Sequence, residues 1–437
     1  MKPMRFWIAA GLLLLPVTVS AEDGPGTLTL AQAFARALEE NTSVAGSKIG
    51  VERAEEQVRY YRSFVFPRFT LSGAYTLNSE EAAFGEGAER RVIQPQQDWS
   101  ARLGFRQPIY AGAREWRAFA QARIGVEQAG DSLADVENQV LLGVGMDYLS
   151  AVEGQALVSV ERQNLELARR RLDQSKVFYE VGEVTQVDVL RAEAGVKAAE
   201  RLEAASEGER AKALGRLEVA LALDEGFDVV DPGGFLPAMP DESVLLNQAL
   251  AGNPTVAQAE KAIEIAELEV KKQKGGSLPV IYAEGGYQQQ KRNFPSSDNT
   301  FLTVNVSVPL FMAGETKALV EDARHQERLA RLRLTDLKRR LREDLHAALL
   351  DVETARRVLA LAQEELAAAT EEHAQAFELY RAQESTALDL EVAELSLSQA
   401  RRTTVTADID VKTAELRAWY FAGALKSAFG PKQEGTP

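Results

Sequence analysis

This chain repeats itself, and that limits its fold more than any other feature does. The stretch YEVGEVTQVDVLRAEA, beginning at Tyr179, returns at Tyr380 as YRAQESTALDLEVAEL, so that Tyr179, Thr185, Asp188 and Ala192 answer Tyr380, Thr386, Asp389 and Ala393. RQPIYAGA around Pro108 pairs in the same way with SVPLFMAGE around Pro309, at the same offset (309 − 108 = 380 − 179 = 201). Further upstream, NTSVAGSK at Asn41 resembles NPTVAQAE at Asn253, and each is followed about 26 residues later by a proline, Pro67 or Pro279, that ends a helix. Two helical segments that were alike by chance would not keep one register over about 70 residues, so whatever one half folds into, the other half folds into as well.

Each copy changes period from helix to strand and back. From Leu28 to Phe64 the sequence is rich in Ala and Glu at helical spacing, with Asn41 or Ser43 able to cap a second helix. RFTLSGAYTLN then alternates, with Phe69, Leu71, Tyr75 and Leu77 on one face and Thr70, Ser72, Thr76 and Asn78 on the other. DWSARLGFRQP opposes Trp99, Ala101, Leu103 and Phe105 to Ser100, Arg102 and Arg106. The second copy sets Ile281, Ala283 and Tyr287 against Tyr282, Glu284 and Gln288, then Leu302, Val304, Val306 and Val308 against Thr303, Asn305 and Ser307. Four strands are expected, as hairpins over 67–108 and 279–309.

After each hairpin comes a helical run, about Ala113 to Tyr179 and Thr316 to Tyr380, that at 1.5 Å per residue is roughly 100 Å long. Val352, Ala355, Leu359, Ala362, Leu366, Ala369, His373, Ala376 and Tyr380 form a heptad seam. The equivalent positions of the first run keep the seam from Ala151 to Tyr179 except at Glu161. Both runs reverse in short tips, 179–185 and 380–386, where Gly182 suits a positive φ and Thr185 and Thr386 can cap the returning helices. Asp188 and Asp389 then fall in first turns, where the helix dipole favours an anion. The expected layout is a first repeat over 22–223, a Pro-, Gly- and Asp-rich connector over 224–242, a second repeat over 243–426 and a solvated tail over 427–437.

Residues 1–21 have a basic start at Lys2 and Arg5, an apolar run and small residues at Val19 and Ala21, the pattern of a secretory signal peptide. No cysteine follows it, so neither a disulfide framework nor lipid attachment through cysteine is open. No later segment is apolar for about 18 residues, so an exported chain of this kind enters a membrane only as β-strands. The net charge of −15, with basic residues scattered along helices, argues against a nucleic-acid partner. His325, His346 and His373 are isolated and give no metal set. No phosphate loop, dinucleotide fingerprint or nucleophile elbow is present, so neither enzymatic activity nor a cofactor is expected.

A soluble sandwich would alternate as these strands do. If they cross a membrane, four strands cannot close a barrel, which needs at least about eight, so the membrane reading requires an oligomer. The signal peptide, the order helix, hairpin, long helix, tip and long helix given twice, the QPIYAG and VPLFMAGE turns and the Tyr-x-x-Gly-x-x-Thr-x-x-Asp-x-Leu tip resemble the outer membrane efflux protein (TolC) family over the mature chain. The resemblance implies a mainly α chain in a homotrimer. Twelve strands would make one barrel in outer-membrane lipid, continued by a twelve-helix tunnel in the periplasm that coils shut at its tips.

It implies gate residues at Tyr380, Asp389 and the position of Val392, with Asp188 in the closing links. It departs from the family where Ser385 stands for an arginine and Val392 for a second aspartate. An adaptor protein would meet Val181, Gly182 and Glu183, and Ala382, Gln383 and Glu384, and an inner-membrane pump of the RND, ABC or MFS type would supply energy. Gln383 replaces an expected glycine, so the second turn is expected to differ in shape. Arg102 and Arg106 would point into the barrel lumen and bias permeation. The competing expectation is a periplasmic coiled-coil adaptor or scaffold whose short hairpins form a soluble domain.

Overall fold

The computed structural model describes residues 26–223, 226–233, 239–290 and 297–429; the expected signal peptide and part of the connector and tail lie outside them. The first copy opens with strand β1 (Gly26–Leu28) and helices α1 (Leu30–Glu40) and α2 (Thr42–Ser63). Thr29 and Gln32 close a capping box on α1, and the Asn41 side chain accepts from the Ser43 amide at the start of α2, two local devices that fix where each helix begins. The second copy repeats the pair as α5 (Glu242–Gly252) and α6 (Pro254–Lys274), with Asn253 as cap and Pro254 in the first turn, where the missing amide costs nothing.

The hairpin strands are β2 (Arg68–Leu77), β5 (Gln97–Ala111), β7 (Val280–Gln290) and β8 (Ser297–Ser307), in one antiparallel sheet of order β2-β5-β7-β8. Its middle joint pairs a strand from each copy, Leu103 facing Tyr287 and Arg106 facing Glu284. The segment between β2 and β5 is partly structured: β3 (Ala82–Phe84) pairs with β4 (Arg91–Gln94), and Arg90 and Glu81 form an exposed ion pair.

Each hairpin turns into a 67-residue helix, α3 (Arg114–Glu180) or α7 (Glu315–Arg381), and each returns, as α4 (Gln186–Leu221) or α8 (Ala387–Phe421). The duplication is visible in the backbone itself. The non-helical joints of the two copies hold positive φ at matching places: Gly112 and Ala313, Ala113 and Gly314, Gly182 and Gln383, Ala222 and Gly423, each pair 201 positions apart. The second tip therefore does not differ in shape from the first, contrary to the expectation from Gln383. Gln383 takes φ 63° where Gly182 takes 81°, because the turn's hydrogen bonds dictate the conformation and the residue bears the strain.

The apolar core sits midway along α3 and α7, where α4 and α8 end, and draws on both copies: Phe34 of α1, Leu141 and Tyr148 of α3, Leu217 of α4, Leu345 of α7 and Leu416 of α8. Gly145 lets α3 approach this cluster, since a methyl there would press on Leu416 and Phe34. The connector contributes a strand that its composition concealed, β6 (Phe227–Val229), paired in parallel with β1. The buried Tyr148 hydroxyl lies 2.7 Å from the carbonyl oxygens of Leu28 and Val230 and accepts from the Val230 amide at 3.1 Å. Lys412 of α8 reaches Asp231, and Arg210 of α4 reaches Asp228, so this one short segment is tied to three long helices. A short helix after α8, α9 (Leu425–Phe429), places Leu425 in the core.

Candidate functional site

The two ends of the molecule carry the candidate functional groups. At the first tip the amides of Gly182 and Glu183 donate to the carbonyls of Tyr179 and Phe178, at 3.0 and 2.9 Å. At the second, Gln383 and Glu384 donate to Tyr380 and Leu379, at 3.1 and 2.9 Å. These bonds occupy carbonyls that a helix end otherwise leaves unpaired. Val181, Gly182 and Glu183, and Ala382, Gln383 and Glu384, are all exposed, so each tip presents a hydrogen-bonded backbone turn with exposed side chains.

Asp188 and Asp389 are the third residues of their helices and complete capping boxes. The Asp188 carboxylate accepts from the Thr185 amide at 2.9 Å and hydroxyl at 2.7 Å. Asp389 accepts from the Thr386 amide at 3.0 Å, the Thr386 hydroxyl at 2.6 Å and the Ser385 hydroxyl at 3.1 Å. Those Thr185 and Thr386 hydrogen bonds hold both carboxyls below the usual aspartate value, because each bond favours the charged form. Ser385, in the place expected for a cation, serves instead as a third donor to Asp389.

The two tyrosines differ sharply. Tyr179 is 48% exposed, whereas Tyr380 is 4% exposed and packs edge-on against Phe178, ring centroids 5.6 Å apart. The Tyr380 hydroxyl is buried without a hydrogen-bond partner among the described residues. Val392 stands exposed on α8, as do Leu388 and Leu395.

The asymmetry arises because α3 carries two buried stripes. One is the seam toward α4, on which Ala151, Gly154, Val158, Leu165, Ala168 and Ser175 are buried. The other faces α8 of the second copy and is polar. Glu161, 1% exposed, meets Arg402 at 2.8 Å; Asn164 donates to Ser398 at 2.7 Å; and Arg171 meets Glu394 at 2.8 Å and Glu391 at 3.9 Å. The lapse in the seam at Glu161 is thus one end of a partly buried ladder between the hairpins, and it was the only trace of that ladder in the heptad pattern. On the α7 seam, burial lowers the proton affinity of His373, and the positive charge of Arg401 adds to the effect.

At the opposite end, the sheet separates its faces. Arg102 lies over the Phe301 ring at 4.7 Å and Arg106 over the Tyr282 ring at 3.9 Å, on the face that carries Thr70, Ser72, Glu284, Thr303 and Asn305. Phe301 is the one aromatic that the alternation did not place there. The other face is apolar and uncovered, with Leu71 79% and Leu302 72% exposed. No helix of the described residues is long and apolar enough to cross a membrane.

A model of the outer membrane efflux protein family matches residues 33–223 and 245–418. The outer membrane efflux protein BepC of Brucella suis biovar 1 is 23% identical over 412 residues, covering 93% of this chain and 88% of that one. The alkaline protease secretion protein AprF of Pseudomonas aeruginosa is 23% identical over 464 residues, covering 98% and 90%. Among solved structures, CusC, described in connection with transmembrane channel formation, superposes with a TM-score of 0.78 at 16% identity, covering 90% of this chain and 91% of that one.

Proposed function

The chain belongs to the outer membrane efflux protein family, and on that premise we propose that it is a passive exit duct of a tripartite efflux or type I secretion assembly. It resides in the cell outer membrane, with its helical part in the periplasm. Three copies assemble so that β8 of one pairs with β2 of the next, giving a twelve-stranded barrel continued by a twelve-helix tunnel. The observation that carries this reading is the isolated sheet: four strands with open edges at β2 and β8 and a bare apolar face. Open edges are not tolerated in lipid, and a large uncovered apolar face in water marks an interaction surface. A soluble coiled-coil scaffold leaves that face unaccounted for.

In the assembled duct, Tyr380, Asp389 and Val392, with Asp188, line the periplasmic constriction. The exposed turns Val181–Glu183 and Ala382–Glu384 receive a periplasmic adaptor, and an inner-membrane pump of the RND, ABC or MFS type supplies the energy. Arg102 and Arg106, on the polar face, line the barrel and bias what passes. Residues 1–21 act as the signal peptide, 22–223 and 243–426 as the two repeats, 224–242 as the connector and 427–437 as the tail.

The test is the native mass of the protein extracted from outer membranes in mild detergent. A trimer is expected; a monomer or dimer recovered from the soluble periplasm refutes the duct. Given a trimer, Asp389→Ala is expected to raise resting conductance, whereas unchanged conductance would leave Asp389 with its capping role alone.

A further inference from the structure

The polar face of the sheet sets like charges side by side. Arg68 of β2 and Arg106 of β5 are direct cross-strand partners, and alternation puts both on the face of Thr70 and Ser72. Like charges so placed repel, and no described carboxylate answers them. Among the described residues neither guanidinium forms an ion pair or a hydrogen bond, although Glu284 is the partner of Arg106 on its other side. Each lies over an aromatic ring instead, Arg68 over Phe64 at 4.4 Å and Arg106 over Tyr282 at 3.9 Å. A ring holds a guanidinium through its π face without using the N–H groups. Both side chains are exposed, so their donors remain available to a ligand.

The two arginines and their rings line one cavity of about 230 Å³, together with Pro108 and Glu115. Its lining carries two cations against one carboxylate, and its apolar walls strengthen the pull of the cations on an anion. The same face is bare nearby. A Cβ on Gly104 would meet Arg102 Nε, Thr70 Oγ1 and the Gly285 carbonyl at 3.7 Å, ordinary contacts, so the packing of the sheet does not demand glycine there. Glycine inside a strand weakens it and often marks a place where a ligand comes close. Arg102 and Arg106 flank this bare position, Arg102 braced on Phe301 at 4.7 Å. We infer that Arg68 and Arg106, braced on Phe64 and Tyr282, form a binding site for an oxyanion, a carboxylate or phosphate group carried by the cargo. The planar fork of arginine matches two oxygens of such a group, and two forks side by side bracket it. This inference rests on the duct reading and gives the cargo a class, small molecules that bear an anionic group. The site lies at the start of β2, where the tunnel helices give way to the barrel, and occurs three times in a trimer.

The test is single-channel recording on the full trimer in planar bilayers, with inorganic pyrophosphate as the probe. Pyrophosphate is expected to block the wild-type current at a concentration that Arg106→Gln and Arg68→Gln each raise about tenfold, the loss of one charge-assisted contact. Arg106→Lys keeps the charge without the planar fork and should weaken the block as well. Arg90→Gln, outside the four strands of the sheet, should leave the block unchanged. Only assembled channels carry current, so a variant that fails to fold is not read as a loss of block, and either glutamine variant alone decides the matter. Wild-type block in the glutamine variants, or an Arg106→Lys channel as sensitive as the wild type, would overturn the site. A wild-type trimer that conducts without being blocked would also overturn it and leave the duct standing, whereas a wild-type trimer that passes no current would overturn the duct.

Discussion

One substitution gives the first tip the backbone problem of the second. Gly182 and Gln383 occupy the same left-handed turn and close the same pair of hydrogen bonds. A Cβ built on Gly182 meets nothing within 4 Å, so Gly182→Gln alters the backbone energy of the turn and little else. A left-handed residue with a side chain costs about 1–2 kcal/mol, and the reduced freedom of the unfolded turn offsets about 0.4–1 kcal/mol of it. The net is a loss of about 1 kcal/mol, a factor of about five in a local opening equilibrium. Gln383→Gly should gain the same amount. Because tips open without global unfolding, the assay is hydrogen exchange by mass spectrometry on peptides spanning each tip of the native protein. Exchange should accelerate about fivefold at the first tip of Gly182→Gln and slow by a similar factor at the second tip of Gln383→Gly. Unchanged exchange in both variants, or a shift of the same sign in both, refutes the claim that the turn's backbone hydrogen bonds impose one shape on two different residues. The Gln383→Gly protein also separates the turn from its side chain: export that falls while the tip grows more stable assigns the Gln383 side chain to the adaptor contact.

Tyr148→Phe removes a buried hydroxyl that serves two backbone carbonyls and one amide, and should cost about 1–3 kcal/mol, seen as faster exchange confined at first to β1 and β6. Glu394 gives a pH dependence of defined sign. Burial pushes its carboxyl up, Arg171 of α3 opposes this and Glu391 of α8 adds to it, while the facing position on α4 is the uncharged Gly195. A raised carboxyl binds its proton more tightly in the packed joint than in water, so its contribution is full below the ordinary value of 4.5 and fades as pH rises through the raised one. The folded protein should therefore gain thermal stability on mild acidification, and Glu394→Gln should abolish that slope. Asp188 and Asp389 act oppositely and only below 3.8, so the two windows do not overlap.

What the sequence made legible is what repeats along it. Alternation located the four sheet strands, since a strand with one wet face must place Leu71 and Thr70 on opposite sides, and the heptads located the long helices. What escaped joins segments far apart in sequence and leaves no period behind. Strand β6 is three residues, Phe227 to Val229, paired to the start of the chain, and nothing in FDV announces a strand without Gly26–Leu28 beside it. Glu161 registered only as a flaw in a seam because Arg402 lies 241 positions away. The shape of the second turn was misjudged from Gln383 because residue preference was weighed without the hydrogen bonds of Tyr380 and Leu379 that override it.

The two copies thus act as an internal control on one another. Where both hold the same unusual backbone with different residues, as at Gly112 and Ala313 or Gly182 and Gln383, the conformation serves the architecture, and either residue is tolerated at a modest cost. Where the backbone agrees and the surroundings do not, the difference must serve something that only one copy does. Tyr179 is exposed and Tyr380 is buried at identical points of identical helices, because α8 lies against α3 and places the second tip beside Phe178. The second tip is held by the first, through Phe178 at its end and the Arg171 rung above. Substitutions that loosen the joint between the hairpins should therefore cluster on α8 and the facing stripe of α3 rather than on the α3–α4 seam.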